Sequence, residues 1–89
     1  MILESVIQKK VINYLEKQGY LVVKTIVLNV SGYPDIFAFR NGEALFVEVK
    51  SKNGKLSELQ EYRIKKIREQ GFKVLIVNDL KTLINFIEK

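Results

Sequence analysis

The chain of 89 residues contains no cysteine, no histidine, no tryptophan and only one proline. Without cysteine there is neither a disulfide framework nor a thiolate zinc site, a composition compatible with the cytoplasm, including that of a host cell were the protein viral. Without histidine, Ser-His-Asp nucleophilic catalysis, imidazole general bases and imidazole metal ligands are all excluded. Any catalysis falls to carboxylates, lysines and a hard metal ion. No apolar run approaches the roughly 18 residues needed to span a bilayer, and Met1-Ile2-Leu3-Glu4 lacks the basic start of a secretory leader. Linkers, low-complexity tracts and internal repeats are missing as well, so the expectation is one domain over residues 1–89.

What is present is ordinary for a globular protein, with 47% hydrophobic and 28% charged residues. A chain of this size buries only about 60–65% of its unfolded surface, so its core is modest. Fifteen Lys and Arg against ten Asp and Glu leave a net charge of +5. That balance points to a polyanionic partner, nucleic acid first, although solubility alone would also account for it.

The informative stretch runs from Tyr33-Pro34-Asp35 to Glu48-Val49-Lys50. Two apolar runs flank Asn41-Gly42, the strongest short-range signal for a two-residue type I′ hairpin turn, which needs positive φ at both central positions. The turn sets the register. Arg40 faces Glu43, Phe37 faces Phe46 and Ile36 faces Val47, so Asp35 faces Glu48 one step further on. Directly opposed residues share a face of the sheet, with Cβ atoms roughly 4.5–5.5 Å apart. Lys50, two residues past Glu48, joins them. Two opposed carboxylates repel, and a shared proton, a lysine or a bound cation must offset this. A hard divalent ion takes oxygen ligands and would draw both acids together. The arrangement reads as a metal site with a lysine beside it.

Hydrophobic periodicity supplies the frame. Residues 3–18 form an amphipathic helix stopped by Gly19. Glu4 lies at the margin of its apolar stripe, where a first-turn acid also favours the helix dipole. Residues 20–30 read as a first strand, Ser31-Gly32 as a turn, and Pro34 as the start of a second strand over 35–40. The third strand runs over 43–50. A loop bearing Lys52 and Lys55 follows, then a helix over 56–70 in which Ser57-Glu58-Leu59-Gln60 fits a capping box. Gln60 and Arg63 fall on the inner side of that helix. The capping box accounts for Gln60, and snorkelling or a carboxylate partner for Arg63; the functional alternative sends both toward the acidic pair or a phosphate backbone. A fourth strand over 72–77 and a last helix over 80–88, capped by Asn78 or Asp79, complete an α-β-β-β-α-β-α order. The helix between the third and fourth strands makes that crossover parallel and right-handed. Both faces of the hairpin are apolar, so helices are expected on both.

Pro34-Asp35, twelve intervening residues, then Glu48-Val49-Lys50 resembles the PD-(D/E)xK nuclease superfamily. The closer likeness is to the VRR-NUC domain in its small stand-alone viral and bacterial form. It rests on Glu4, Gly32-Tyr33-Pro34-Asp35, Glu48-Val49-Lys50, the Gly54-Lys55-Leu56-Ser57 step and Gln60, in the family's order over residues 4 to 60. The resemblance implies an α/β, restriction-endonuclease-like αβββαβ(α) fold, a mixed four-stranded sheet flanked by helices. It implies a Mg2+- or Mn2+-dependent endodeoxyribonuclease selective for branched DNA such as Holliday junctions. Carried over residue by residue, Asp35, Glu48 and the backbone carbonyl of Val49 would hold the ion, and Glu4 would complete the acidic site directly or through water. Lys50 would orient or help deprotonate the attacking water, and Gln60 would position Lys50 or the scissile phosphate.

The sequence carries no separate recognition module, so DNA contacts would fall to Lys50, Lys52, Lys55, Ser57, Gln60 and Arg63, chiefly on phosphates, which carry little sequence information. One small domain cuts one strand at a time, which makes a two-fold homodimer the expected assembly. Three other accounts predict different behaviour. A non-catalytic nucleic-acid-binding module would bind without cutting. A nuclease subunit would need a helicase-type partner. A structural domain with a salt-bridged strand end would ignore divalent ions.

Overall fold

The computed structural model describes residues 2–88. It contains α1 (Glu4–Lys17), β1 (Leu21–Lys24), β2 (Ile36–Arg40), β3 (Glu43–Val49), α2 (Glu58–Glu69), β4 (Lys73–Val77) and α3 (Leu80–Ile87), in the expected order. The strands form one mixed sheet in the order β1-β2-β3-β4. The first two pairings are antiparallel and β3–β4 is parallel, as a helical crossover requires. Asn41 and Gly42 both have positive φ, at 53° and 79°. Their turn aligns Ile36 with Val47, Phe37 with Phe46 and Arg40 with Glu43, the register read from the sequence.

Alternation along the strands sends Ile36, Ala38, Leu45, Val47 and Val49 to one face. There they join Ile7, Val11 and Leu15 of α1, Leu83 of α3 and Val77 in a single buried cluster. The opposite face, which carries Glu48, is covered only in part. Ile64 of α2 is buried and so is Val74 of β4, while Phe37, Phe46 and Phe72 stack edge to face beside them. Towards β1 the cover ends, leaving Leu21 at 69%, Val23 at 44% and Phe39 at 39% exposure. The expectation that helices would close both faces is therefore met on one only. Four strands about 4.8 Å apart are wider than one helix of about 10 Å diameter, and this face has a single helix. Among the described residues no helix is long and apolar enough to cross a membrane.

The first strand is shorter than its composition suggests, four residues in place of eleven. The last contacts of the strand are with the segment that precedes β2. Thr25 N–H still donates to the Asp35 carbonyl, and the Thr25 hydroxyl donates to the Pro34 and Asp35 carbonyls. Beyond Thr25 no backbone hydrogen bond continues the ladder among the described residues. Residues 25–35 then leave the sheet, and Ile26 and Val27 stand 85% and 86% exposed.

Gly32 anchors this excursion against α2. Its φ is +91°, and a Cβ there would lie 2.7 Å from Leu59 Cγ and 3.2 Å from the Leu59 backbone carbon. Arg63 Nε donates to the Ser31 carbonyl at 3.0 Å, and the guanidinium lies over the Tyr33 ring. Gly32→Ala is thus expected to destabilise the fold by about 2–4 kcal/mol, from left-handed backbone strain plus overpacking. Urea melts would check this; a loss below about 0.5 kcal/mol would mean that the excursion and the helix do not press together.

Candidate active site at the end of the hairpin

The acidic pair sits where β2 and β3 run out of apolar partners. Asp35 stands one residue before β2, so the register that pairs Ile36 with Val47 brings it opposite Glu48. Its Oδ2 accepts the Val49 N–H at 3.0 Å, which fixes the half-buried carboxylate against the neighbouring strand. Glu48 is 2% exposed, an unusual depth for a carboxylate.

Among the described residues two side-chain donors reach Glu48, both on the same oxygen. Gln60 Nε2 donates to Oε2 at 3.3 Å, and Lys50 Nζ lies 3.6 Å from it. Oε1 is buried with no hydrogen-bond partner among the described residues. Burial first, and the Asp35 charge second, push the Glu48 carboxyl up to about 7 from an ordinary 4.5, with Lys50 and the Asp35 amide pulling the other way. A carboxylate with one oxygen orphaned, and a second acid repelling it, is a costly arrangement to leave uncompensated. Hard divalent ions take oxygen ligands, and one bound here would remove both penalties. The donor set of Asp35 and Glu48 fits such an ion.

Lys50 follows β3, its N–H bound to the Val77 carbonyl of β4 and its side chain 18% exposed. It is therefore held at the rim, half in protein and half in solvent. Lys52 and Lys55 are exposed on the loop that follows. Glu4, at the start of α1, is placed differently from a third ligand. Its Oε2 accepts the Ser51 N–H at 3.0 Å, and among the described residues no three acidic side chains converge on a common metal position. Of the two expected placements of Glu4, direct or through water, the direct convergence is not what the structure shows, because its carboxylate caps the backbone just after Lys50. Arg63, expected toward DNA, has its Nε committed to Ser31. The sequence offered no warning of either, since each partner, the Ser51 N–H and the Ser31 carbonyl, is a backbone group of a loop.

The cap of α2 bears directly on the site. Ser57 Oγ accepts the Gln60 N–H at 3.1 Å, and Gln60 Oε1 accepts the Ser57 N–H at 2.9 Å, a complete capping box. The two accounts of Gln60, cap or site, hold together, because its carbonyl end serves one and its amino end the other. A depression of about 350 Å³ lined by Thr25, Ser31, Tyr33 and Asp35 opens on one side of the acids. A smaller one, about 170 Å³, opens beside Lys50, Lys52 and Gly54 on the other.

Comparison with known proteins bears on this geometry. The sequence model of the VRR-NUC domain matches residues 7–79. A solved structure described as a VRR-NUC domain superposes with a TM-score of 0.85 at 32% identity, covering 96% of this chain and 94% of its own. A second, described as a VRR-NUC domain protein, gives a TM-score of 0.79 over 98% and 86% at 20% identity, a likeness of fold alone. Curated relatives described as UPF0102 proteins from Thermotoga neapolitana and Thermotoga maritima are each 38% identical, over 63% and 62% of this chain. Those alignments span 52% and 51% of the relatives, so the chain matches about half of their length.

Proposed function

The chain belongs to the VRR-NUC family of nuclease domains, and on that premise we propose that it is a metal-dependent endodeoxyribonuclease selective for branched DNA such as a Holliday junction. The observation that carries the reading is Glu48, a buried carboxylate with one oxygen unpartnered among the described residues, opposed by Asp35 and flanked by Lys50 and Gln60.

In this reading Asp35, Glu48 and the Val49 carbonyl hold Mg2+ or Mn2+. When bound, such an ion supplies positive charge for the phosphoryl oxygens and acidifies nearby water. Lys50 carries the second positive charge of the site. Held at the rim by the Val77 carbonyl, it is placed to neutralise charge that builds on the scissile phosphate and to orient the attacking water. Gln60 keeps a donor on Glu48, so that the acid stays an acceptor. Glu4 acts one step back, fixing the Ser51 amide and with it the chain that leaves Lys50. Lys52 and Lys55, with Ser57 and the remaining donors of Arg63, meet phosphates along the same rim. These contacts read backbone shape and carry little sequence information, which suits selection by structure.

A four-way junction presents two strands to be cut, and one copy of this domain holds one such site. Two copies related by a two-fold axis would act on both. The apolar side chains that β1 and the following excursion leave exposed, among them Leu21, Val23 and Ile26, give such a dimer a surface to bury.

The test is incubation of four-way, flap and linear duplex DNA with Mg2+, Mn2+ or EDTA. Cleavage is expected with either metal and none in EDTA, with the branched substrates cut at least about 10-fold faster, the ratio that a modest 1.4 kcal/mol preference gives. No cutting of any substrate with metal present would sink the reading. Equal rates on all three would remove branch selectivity and leave the nuclease.

A further inference from the structure

We infer that Ser57 is a positioning residue for this site, its backbone N–H deciding which end of the Gln60 amide the buried Glu48 meets. A glutamine amide has one accepting end and one donating end. The Ser57 N–H occupies Oε1 at 2.9 Å, which leaves Nε2 on the side of Glu48, 3.3 Å from Oε2. The reversed amide would set its NH2 against the Ser57 N–H and its oxygen against the carboxylate. Each mismatch strands a polar group, a penalty of about 1–3 kcal/mol. The cap therefore acts as a polarity key for the amide.

The consequence falls on how Glu48 divides its oxygens. Lys50 and Gln60 gather on Oε2, and among the described residues Oε1 is left without a partner. Were the amide free to turn, Oε2 would lose a neutral donor, and the carboxylate would swing toward whichever donor remained. The frame around the key is firm. The first turn of α2 is seated on Gly32 through Leu59, and Arg63 ties the same helix to Ser31, three residues before Pro34. The α2 N-terminus and the stretch that presents Asp35 are thereby locked together, with Ser57 and Gln60 inside the lock.

This inference rests on the nuclease reading for its importance, though not for its geometry, and the experiment separates the two. Ser57 has φ −73° and ψ 163°, a backbone that proline also adopts. Ser57→Ala removes the hydroxyl and keeps the N–H; Ser57→Pro removes both. Their difference isolates the N–H. In 15N spectra of the metal-free protein, the Gln60 side-chain NH2 should be shifted and protected from water exchange in wild type and in S57A, and should revert to free-glutamine positions in S57P. Calorimetry with Mn2+ should then show affinity about 10-fold weaker in S57P than in S57A, the scale of an outer-shell partner lost from a metal site. That difference should vanish in a Gln60→Ala background. Identical NH2 signals and Mn2+ affinity in S57P and S57A, or a difference that survives Gln60→Ala, would overturn the inference. If S57P does not fold, the wild-type spectrum decides alone, since free-glutamine signals there would overturn it. An ordered Gln60 NH2 in a protein that neither binds Mn2+ nor cuts DNA would instead overturn the nuclease reading.

Discussion

Lys50→Ala should lower DNA cleavage by about 10²–10³-fold, the scale on which a single preorganised charge or donor acts at a reacting group. Asp35→Asn should lower it at least as far. The second substitution is the sharper of the two. The Asn oxygen can still accept the Val49 N–H that Asp35 Oδ2 accepts at 3.0 Å, so the strand junction stays tied while the negative charge disappears. Removing that charge also relieves its repulsion of Glu48, which raises rather than lowers stability. A dead but well-folded D35N enzyme would thus place the loss in the chemistry. Single-turnover cleavage of a four-way junction with Mn2+, beside thermal melts of each variant, is the measurement. Cleavage by both variants within about threefold of wild type would leave the acidic pair and the lysine without a catalytic role.

Glu48→Gln should raise stability as well, by an amount that depends on pH. The folded carboxyl is pushed up to about 7 from an ordinary 4.5. Above pH 4.5 the unfolded chain releases this proton while the folded chain retains it, so the unfolded state binds fewer protons and stability falls as pH rises. Stability is complete below about pH 4.5 and is lost by the time pH passes about 7. The full cost of charging Glu48 in place is about 3 kcal/mol by the usual conversion of pKa to free energy. Glutamine never pays it. E48Q should therefore match wild type near pH 4 and exceed it by roughly 2–3 kcal/mol at pH 8, a rise in Tm on the order of 10 °C for a domain of this size. Saturating Mn2+ at about 100 times its Kd should return about 2.7 kcal/mol to wild type and little to the variant. Melts from pH 4 to pH 9, with and without metal, test this. Parallel pH profiles for the two proteins would show that the buried acid is already compensated by its neighbours.

The parts of the molecule that were legible in the sequence are those governed by local chemistry. Asn41-Gly42 dictates a two-residue turn, and the turn dictates that Asp35 and Glu48 come together. The Ser57 and Gln60 spacing announces a capping box, and the helical crossover announces a parallel β4. Asp79, one of two candidate caps for α3, accepts the Thr82 N–H and settles the choice. What was not legible depends on partners distant in the chain. The end of β1 falls where its ladder with the segment before β2 stops, at Thr25 and Asp35. The bare half of the second face follows from counting helices against strands in three dimensions. Glu4 meets the Ser51 amide 47 residues away, and no local pattern encodes that meeting. Gln60 looked like a choice between two roles because a one-dimensional pattern does not register that an amide has two ends.

The brevity of the reversal at Asn41-Gly42 makes it a ruler as well as a corner. Strand side chains alternate with a period of two, so a loop change that slid β2 by a single step against β3 would turn its side chains to the opposite face. Asp35 would then emerge on the side of the sheet occupied by α1 and α3, with Glu48 left behind on the other. Loop-length variation, usually the cheapest change a protein surface tolerates, is harmless here only where the added residues leave that register intact.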